Sequence, residues 1–459
     1  MDTPAVVLLS TSDTDLLSAR ASGAGYRLAN PARTPAEDLA ALLDGAAVVV
    51  VRILGGARMW PDGLAAVRGS GLPVVVLGGE QAPDAEMMEL STVPAGVAAE
   101  AHTYLAQGGP ANLGQLHAFL CDTLLFTGQG FDPPVELPSW GIFERAAHVS
   151  DGPIVAVLYY RAQQLAGNTA YVEALCAALE DAGARPLPVY CASLRQADPA
   201  LLRTLAVADA MVVTVLAAGG TKPAGASAGG EDEAWDVAEL AALDVPILQG
   251  LCLTTSRESW VASNEGLSPL DVATQVAVPE FDGRLITVPF SFKEFDADGL
   301  TVYVPDAERA ARVAGIAVRH ARLRRIPNAQ KRIVLMMSAY PTKHARIGNA
   351  VGLDTPASAV ALVRAMAEAG YDVGDLPGVA AGDGDALMHA LIAAGGQDPD
   401  WLTEEQLSGN PIRIAAERYQ GWFADLPADL RGRVEEHWGP APGELYVDDG
   451  HIVVAAAAP

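Results

Sequence analysis

A polar loop follows the run KRIVLMMS, and its side chains suit the binding of an anionic ligand. Within ten residues the loop carries Tyr340, Lys343, Arg346 and Asn349. A loop between a strand and a helix places cations, amides and a positive helix end where carboxylates or carboxamides bind. The sequence therefore predicts a substrate-binding loop. The alternative is that Arg346 and Asn349 only satisfy neighbouring backbone groups in a long connection.

A second candidate site lies in the segment VPEFDGRLITVPF. Glu280, Asp282 and Arg284 fall in a tight turn of this segment, so two carboxylates and a guanidinium would be available to line a substrate-binding cleft. The simpler alternative is a surface hairpin with a local ion pair. All three residues are candidates for substrate binding.

Two kinds of chemistry find little support in the sequence. No GxxxxGK[ST] motif is present, and no Gly-Lys pair occurs in the chain, so ATP hydrolysis through a P-loop is not expected. The eight histidines show no HxxxH or HxH spacing, so a metal site would have to combine distant segments. His344, in the polar loop, is the one candidate metal ligand, and the sequence identifies no catalytic residue.

The composition argues against two classes of partner. With 30 basic and 56 acidic residues, the 459-residue chain has a net charge of −26, which repels nucleic acid and anionic membrane surfaces. Apolar runs such as AAVVVV are far shorter than the roughly 18–20 residues of a membrane span. The four cysteines form no CxxC pair and the amino terminus shows no export signal, so we expect a cytoplasmic location.

The elements that would position these candidates alternate between strand and helix. Short runs such as VVLLS, AAVVVVRI, PVVVLGG and PIVAVLYY are typical of parallel strands covered on both faces. Helical segments separate them, and Asn168 is predicted to cap the helix TAYVEALCAALEDAG. The sequence therefore predicts a multidomain α/β protein with several doubly wound, Rossmann-like or flavodoxin-like parallel-sheet units and added helices.

Three domains are expected. The Pro-rich segment FDPPVELPSWG ends an amino-terminal α/β head domain with trailing helices, at residues 1–135. A second α/β domain is expected at 136–330. The third, at 331–459, opens with KRIVLMMS as the first strand of a further α/β domain and closes with a hairpin that turns at Asp449-Gly450.

Several long stretches together resemble one protein family. They are PIVAVLYYRAQQLAGNTAYVEALCAALEDAGARPLPVY, DVPILQGL, LSPLDVATQVAVPEFDGRLITVPF and RIGNAVGLDTPASAVALVRAMAEAGYDVGDLP. In this order they are similar to the large subunit of the class I chelatases, which insert a divalent metal into a tetrapyrrole and include aerobic cobaltochelatase and magnesium chelatase. The loop ARIGNAVGLDTPAS resembles the cobalt branch, of CobN type, whereas the magnesium subunits carry a shorter loop there.

The resemblance implies a tetrapyrrole-binding large subunit for the ATP-dependent insertion of Co²⁺ into hydrogenobyrinic acid a,c-diamide, in cytoplasmic cobalamin biosynthesis. Co²⁺ is then a substrate, and ATP with Mg²⁺ is hydrolysed by two partner subunits that form an AAA+ motor. Lys343, Arg346 and Asn349 would contact peripheral carboxylates and carboxamides of the ring. The family's large subunits continue beyond the point that matches Pro459, so the resemblance also implies an amino-terminal fragment that is inactive alone.

Three alternatives remain open from the sequence. The first is the magnesium chelatase large subunit, whose substrate would be protoporphyrin IX. The second is a scaffold that docks the AAA+ motor subunits while another region holds the ring. The third is a stand-alone binding protein with a cleft between its sheets, which the missing export signal disfavours.

Overall fold

The computed structural model describes residues 5–80, 82–145, 151–194, 197–215, 238–337, 348, 350–393, 412–444 and 446–454. By its internal contacts the chain divides into two units, Met1–Arg324 and Arg325–Pro459. The unit boundary lies near the predicted start of the third domain at residue 331. The predicted division of the first unit at residue 135 stays a prediction.

The first sheet of the first unit is parallel and doubly wound. Its strands are β1 (Val6–Ser10), β2 (Tyr26–Ala29), β3 (Val48–Ile53) and β4 (Val74–Gly78), in the order β2-β1-β3-β4. The helices around it are α1 (Asp13–Ala21), α2 (Ala36–Leu43), α3 (Pro61–Arg68), α4 (Ala85–Met88), α5 (Ala95–Gln107) and α6 (Gly109–Leu125).

The side chains of these strands alternate between the two faces of the sheet, which explains why helices cover both faces. Val6 and Leu8 of β1 pack on one face with residues of α1, α5 and α6. Val7 and Leu9 pack on the other face with residues of α2, α3 and α4. Successive side chains of a strand point to opposite faces, so an unbroken apolar run needs a hydrophobic layer on each side.

The second sheet of the first unit has seven strands. These are β5 (Trp140–Ile142), β6 (Ile154–Tyr160), β7 (Arg185–Cys191), β8 (Ala210–Val213), β9 (Ile247–Cys252), β10 (Leu285–Phe295) and β11 (Thr301–Pro305). Their order is β11-β10-β9-β8-β6-β7-β5. The five strands from β10 to β7 are parallel, and β11 and β5 are antiparallel edge strands.

Helices cover both faces of this sheet as well. They are α7 (Arg161–Leu165), α8 (Ala170–Asp181), α9 (Pro199–Leu205), α10 (Ala238–Ala241), α11 (Arg257–Ala262), α12 (Pro269–Asp271), a π-helix (Val272–Ala277), α13 (Val278–Phe281) and α14 (Ala307–Arg325). Helices α8 and α14 pack on one face, and α9 packs on the other. The predicted doubly wound α/β architecture is therefore confirmed for both sheets.

Asn168 does not cap α8, contrary to the prediction. The N-cap residue is Thr169, whose hydroxyl donates to Glu173 Oε1 at 2.9 Å. The Asn168 side-chain oxygen instead accepts a hydrogen bond from the Tyr303 backbone N–H, at 2.9 Å. Tyr303 belongs to the edge strand β11, so its outward N–H needs an acceptor that the sheet does not supply.

The second unit contains α15 (Thr355–Glu368), α16 (Gly384–Ala393), β12 (Ile412–Ala415), α17 (Ala416–Ala424), α18 (Ala428–Trp438), β13 (Val447–Asp448) and β14 (His451–Val454). The predicted hairpin is confirmed, since β13 pairs with β14 and the φ angles of Asp449 and Gly450 are 42° and 70°. The described strands form an antiparallel sheet, in the order β12-β14-β13.

The strand predicted at KRIVLMMS is not formed by residues 331–337 with any described part of this chain. This segment forms no strand, because no described segment pairs with it. A parallel sheet is therefore not observed among the described residues of the second unit. Across the described ranges, we also find no helix with the length and apolar character needed to cross a membrane.

Candidate functional site at the carboxyl ends of the strands

The predicted substrate-binding loop lies almost entirely outside the described residues. This holds for Tyr340, Lys343, His344, Arg346 and Asn349, whose roles therefore stay predictions. Helix α15 begins at Thr355, as expected, but its amino terminus is not free. Asp354 Oδ1 accepts a hydrogen bond from the Ala357 backbone N–H at 3.0 Å. This carboxylate satisfies one N–H group and brings negative charge to the positive helix end, which makes that end less suited to an anionic ligand.

The interpretation of the Glu280–Arg284 turn as a surface hairpin is wrong. Asp282 and Arg284 form an ion pair at 2.8 Å, and both side chains are 0% exposed. Glu280, at the end of α13, lies exposed on the surface. The structure therefore brings Asp282 and Arg284 together in the interior, away from solvent, and leaves Glu280 apart from them.

Arg284 links three segments of the second sheet. Its Nη1 atom donates to the Val215 carbonyl oxygen and to Gln249 Oε1, each at 2.8 Å, while Nη2 donates to Asp282. Burial lowers the pKa of Arg284, and the neighbouring Asp282 carboxylate opposes that effect. Hydrogen bonds and a counterion offset the cost of burying the charge, so the pair fixes the end of β8 against β9 and β10.

Buried polar groups also anchor the segment before this turn to β9. Ser268 caps α12 and donates to Asp271 Oδ2 at 2.8 Å, while Asp271 Oδ1 accepts from the Thr254 N–H at 3.0 Å. Gln275, in the π-helix, accepts a hydrogen bond from the Cys252 N–H at 3.4 Å. These hydrogen bonds hold the stretch LSPLDVATQVAVPEFDGR against the end of β9.

The second sheet has a topological switch point between β6 and β8. The chain leaves β6 toward β7 on one side and leaves β8 toward β9 on the other, which opens a crevice outside the carboxyl ends of the two strands. Helix α7, directly after β6, carries Gln163 and Gln164 into this region, and both are partly exposed. Ligands of doubly wound sheets bind in such a crevice.

Two buried tyrosines hold these glutamine side chains. The Tyr159 hydroxyl donates to Gln164 Oε1, and the Tyr171 hydroxyl donates to Gln163 Oε1. Thr214, which follows β8, donates to the Leu158 carbonyl oxygen at 3.0 Å. Burial raises the pKa of both tyrosines well above the ordinary value, so their hydroxyls are neutral at physiological pH. The arrangement suits hydrogen bonding to a polar ligand rather than proton abstraction.

The corresponding crevice of the first sheet is filled by the protein itself. Arg52 Nη1 donates to Asp15 Oδ1 at 3.0 Å, and both side chains are 7% exposed. The Ser10 hydroxyl donates to the other Asp15 oxygen at 2.7 Å, and Arg52 also donates to the Gly79 carbonyl oxygen at 2.9 Å. Burial raises the pKa of Asp15, while Arg52 opposes this shift. The second sheet is therefore the better candidate for a ligand site.

Sequence reasoning did not single out Tyr159, Gln163, Gln164, Tyr171 or Thr214. The first four lie in the stretch LYYRAQQLAGNTAY, part of the longest run that carries the family resemblance. The family resemblance could therefore have drawn attention to this stretch. Only the strand order, however, shows that the end of β6 lies beside the end of β8. Among the described residues, no cluster of three or more histidine, cysteine, aspartate or glutamate side chains is arranged to hold a metal ion.

Comparison with known proteins agrees with the fold and the motifs. The family model described as CobN/Magnesium Chelatase matches residues 102–458. The aerobic cobaltochelatase subunit CobN of Pseudomonas aeruginosa is 33% identical over 494 aligned residues, which cover 99% of this chain and 38% of that protein. The chloroplastic magnesium-chelatase subunit ChlH of Oryza sativa subsp. indica is 25% identical over 307 residues, which cover 66% of this chain and 21% of that protein.

A solved structure shows the same relationship. The catalytic subunit of cobaltochelatase from Mycobacterium tuberculosis is 63% identical and superposes with a TM-score of 0.80. The match covers 99% of this chain and 38% of that one, so the chain spans about two fifths of the length of these two cobaltochelatase subunits. The chain belongs to the CobN/magnesium chelatase family.

Proposed function

We propose that this chain is part of the large, tetrapyrrole-binding subunit of a cobaltochelatase. The reaction would be the ATP-dependent insertion of Co²⁺ into hydrogenobyrinic acid a,c-diamide, in cytoplasmic cobalamin biosynthesis. The observation that carries the proposal is the 63% identity, over 99% of the chain, to the catalytic subunit of a cobaltochelatase. The lower identity to a magnesium-chelatase subunit, 25% over 66% of the chain, supports cobalt over magnesium as the inserted metal.

The chemistry of the substrate defines what the site has to provide. Two inner N–H protons leave the ring as Co²⁺ loses its water ligands, so bases and a firm grip on the macrocycle are needed. The peripheral carboxylates and carboxamides call for arginine, lysine and amide donors. We assign Lys343, Arg346 and Asn349 to those peripheral contacts, with Tyr340 beside them, and we keep His344 as a candidate metal ligand.

ATP hydrolysis is assigned to partner subunits. The chain has no GxxxxGK[ST] motif, which supports a division of labour in which two AAA+ motor subunits bind ATP and Mg²⁺. The net charge of −26 makes nucleic acid and anionic membranes poor partners. The motor subunits and the tetrapyrrole are therefore the proposed partners of this protein.

The test is a fluorescence titration of the 459-residue chain with hydrogenobyrinic acid a,c-diamide. Saturable binding is expected, and replacing Lys343, Arg346 and Asn349 together by alanine should weaken it at least about tenfold, because charged hydrogen bonds are lost. Arg312→Ala is the matched control, since Arg312 is 58% exposed and pairs with the exposed Glu308 one helix turn earlier.

Other outcomes would redirect the proposal. Unchanged affinity in the triple variant contradicts the assignment of the loop. Tighter binding of protoporphyrin IX than of the corrinoid would favour a magnesium chelatase. If the folded chain captures the motor subunits but binds neither ring, it is a docking scaffold instead.

A further inference from the structure

Residues 331–337 form neither helix nor strand, and their backbone is unpaired within the described part of the chain. The run KRIVLMM has the composition of a buried strand, yet no described strand lies beside it. From Arg332 to Met337, no backbone N–H donates to a backbone carbonyl of another described residue. Unsatisfied N–H and C=O groups along an apolar segment are the template with which another β-strand pairs.

Side-chain exposure alternates along this segment with the period of a strand. Val334 and Met336 are 80% and 87% exposed, whereas Leu335 between them is 46% exposed. Met337 packs against the core formed by α15 and α16, and Leu335, Met336 and Met337 line an apolar groove of about 270 Å³ with Leu362 of α15. Leu335 and Met337 therefore lie toward α15, whereas Val334 and most of the Met336 side chain are open among the described residues.

The backbone decides what kind of partner fits. A flat apolar ligand would cover Val334 and Met336 but would leave the N–H and C=O groups of the segment unpaired. A second β-strand satisfies those groups and extends the apolar layer at the same time. The relatives carry polypeptide that would supply such a strand, because more than half of the P. aeruginosa and M. tuberculosis proteins lies outside their match to this chain.

We propose that residues 331–337 are a strand of a parallel sheet whose neighbouring strand comes from the region of the chelatase polypeptide that this chain does not match. The segment and α15 form the first half of a βαβ unit, which is the connection that parallel strands require. The partner segment should be apolar and β-branched, and it should bring a second layer over Val334 and Met336. This inference concerns assembly, so it does not depend on which metal or ring is used.

Hydrogen exchange tests the proposal without a ligand. In the 459-residue chain alone, the amides of residues 333–337 should exchange as fast as those of an unstructured segment. In the full-length M. tuberculosis catalytic subunit, the matching amides should exchange at least about a hundredfold more slowly. The amides of Val212 and Leu248, in β8 and β9, serve as controls and should be protected in both proteins. Fast exchange of the segment in both proteins, or equal protection in both, would overturn the proposal.

Photo-cross-linking identifies the occupant. In the full-length subunit, p-benzoylphenylalanine is placed at the position that matches Val334 and, as a control, at the position that matches Val207, which is 58% exposed. A cross-link from the first position to a peptide outside the region matched by this chain supports the proposal. A cross-link to the matched region, or to a second copy of the subunit, would overturn it.

Discussion

Replacing Asp282 by alanine is expected to destabilise the first unit by about 3–5 kcal/mol, because it leaves the guanidinium of Arg284 buried without its counterion. Both side chains are 0% exposed, so water cannot replace the lost carboxylate. Arg284 retains its hydrogen bonds to the Val215 carbonyl and to Gln249, which offset only part of the desolvation of a charge. At about 1.4 kcal/mol per factor of ten, the folded-to-unfolded ratio falls by roughly two to three and a half orders of magnitude.

Native-state hydrogen exchange of the Val212 and Leu248 amides measures this loss, because these residues lie in the strands that the Arg284 cluster joins. Asp282→Asn should cost less than Asp282→Ala, since the amide oxygen still accepts the hydrogen bond from Arg284. Glu308→Ala is the surface control. It removes an exposed ion pair with Arg312 and should cost no more than about 0.5 kcal/mol.

A different result would refute this reasoning. If Asp282→Ala lowers the free energy of unfolding, measured by hydrogen exchange, by no more than Glu308→Ala does, the ion pair of Asp282 with Arg284 does not stabilise the fold. If the same variant keeps its stability but loses affinity for the tetrapyrrole, Asp282 and Arg284 belong to the substrate site, as the sequence first suggested. Measuring the free energy of unfolding and the tetrapyrrole affinity on one sample of the variant separates a structural role from a substrate-binding role.

Three further predictions follow from buried or capping groups. The hydrogen bond from Arg257 lowers the pKa of Asp306 below the ordinary value of 3.8. The stability that Asp306 contributes is therefore present above pH 3.8 and is lost as the pH falls through the lower pKa of the folded state. The urea midpoint should therefore drop less between pH 5 and pH 3 in Asp306→Asn than in the parent. All four cysteines are buried, and burial raises the pKa of Cys191 to about 11, so thiol labelling at pH 8 should require unfolding; fast labelling of native protein would contradict this. Gly250→Ala should cost about 1–3 kcal/mol in urea denaturation, because a Cβ there would lie 3.0 Å from the buried Phe290 ring; an unchanged midpoint would show that the core adjusts freely.

The sequence predicted the features that depend on neighbouring residues. Unbroken runs such as VVLLS became parallel strands of doubly wound sheets, because their alternate residues need an apolar layer on each face. The Asp449-Gly450 pair became a hairpin turn because both positions adopt positive φ angles. The start of α15 at Thr355 was also predictable from Pro356 and the helical spacing that follows.

Features that depend on distant segments escaped prediction. Asn168 was available as a helix cap, but its side-chain oxygen instead accepts a hydrogen bond from the edge N–H of Tyr303, 135 residues further along. The Asp282 and Arg284 pair looked like a surface turn because nothing near it in sequence shows that Val215 and Gln249 will surround the guanidinium. The same limit applies to KRIVLMMS, whose composition is that of a strand but whose pairing partner is not among the described residues.

The sequence by itself therefore determined the fold class, the family and the positions of most strands and helices, because periodicity, turn residues and long motifs are local properties. The tertiary structure alone decided the order of the strands, and with it the crevice in which the Tyr171 hydroxyl contacts both Gln163 and Thr214. It also decided which charges are buried in pairs and which strand-like segment stays exposed. Burial and pairing depend on which segments meet in space, and that is settled by the free energy of the whole packed chain rather than by any one stretch of it.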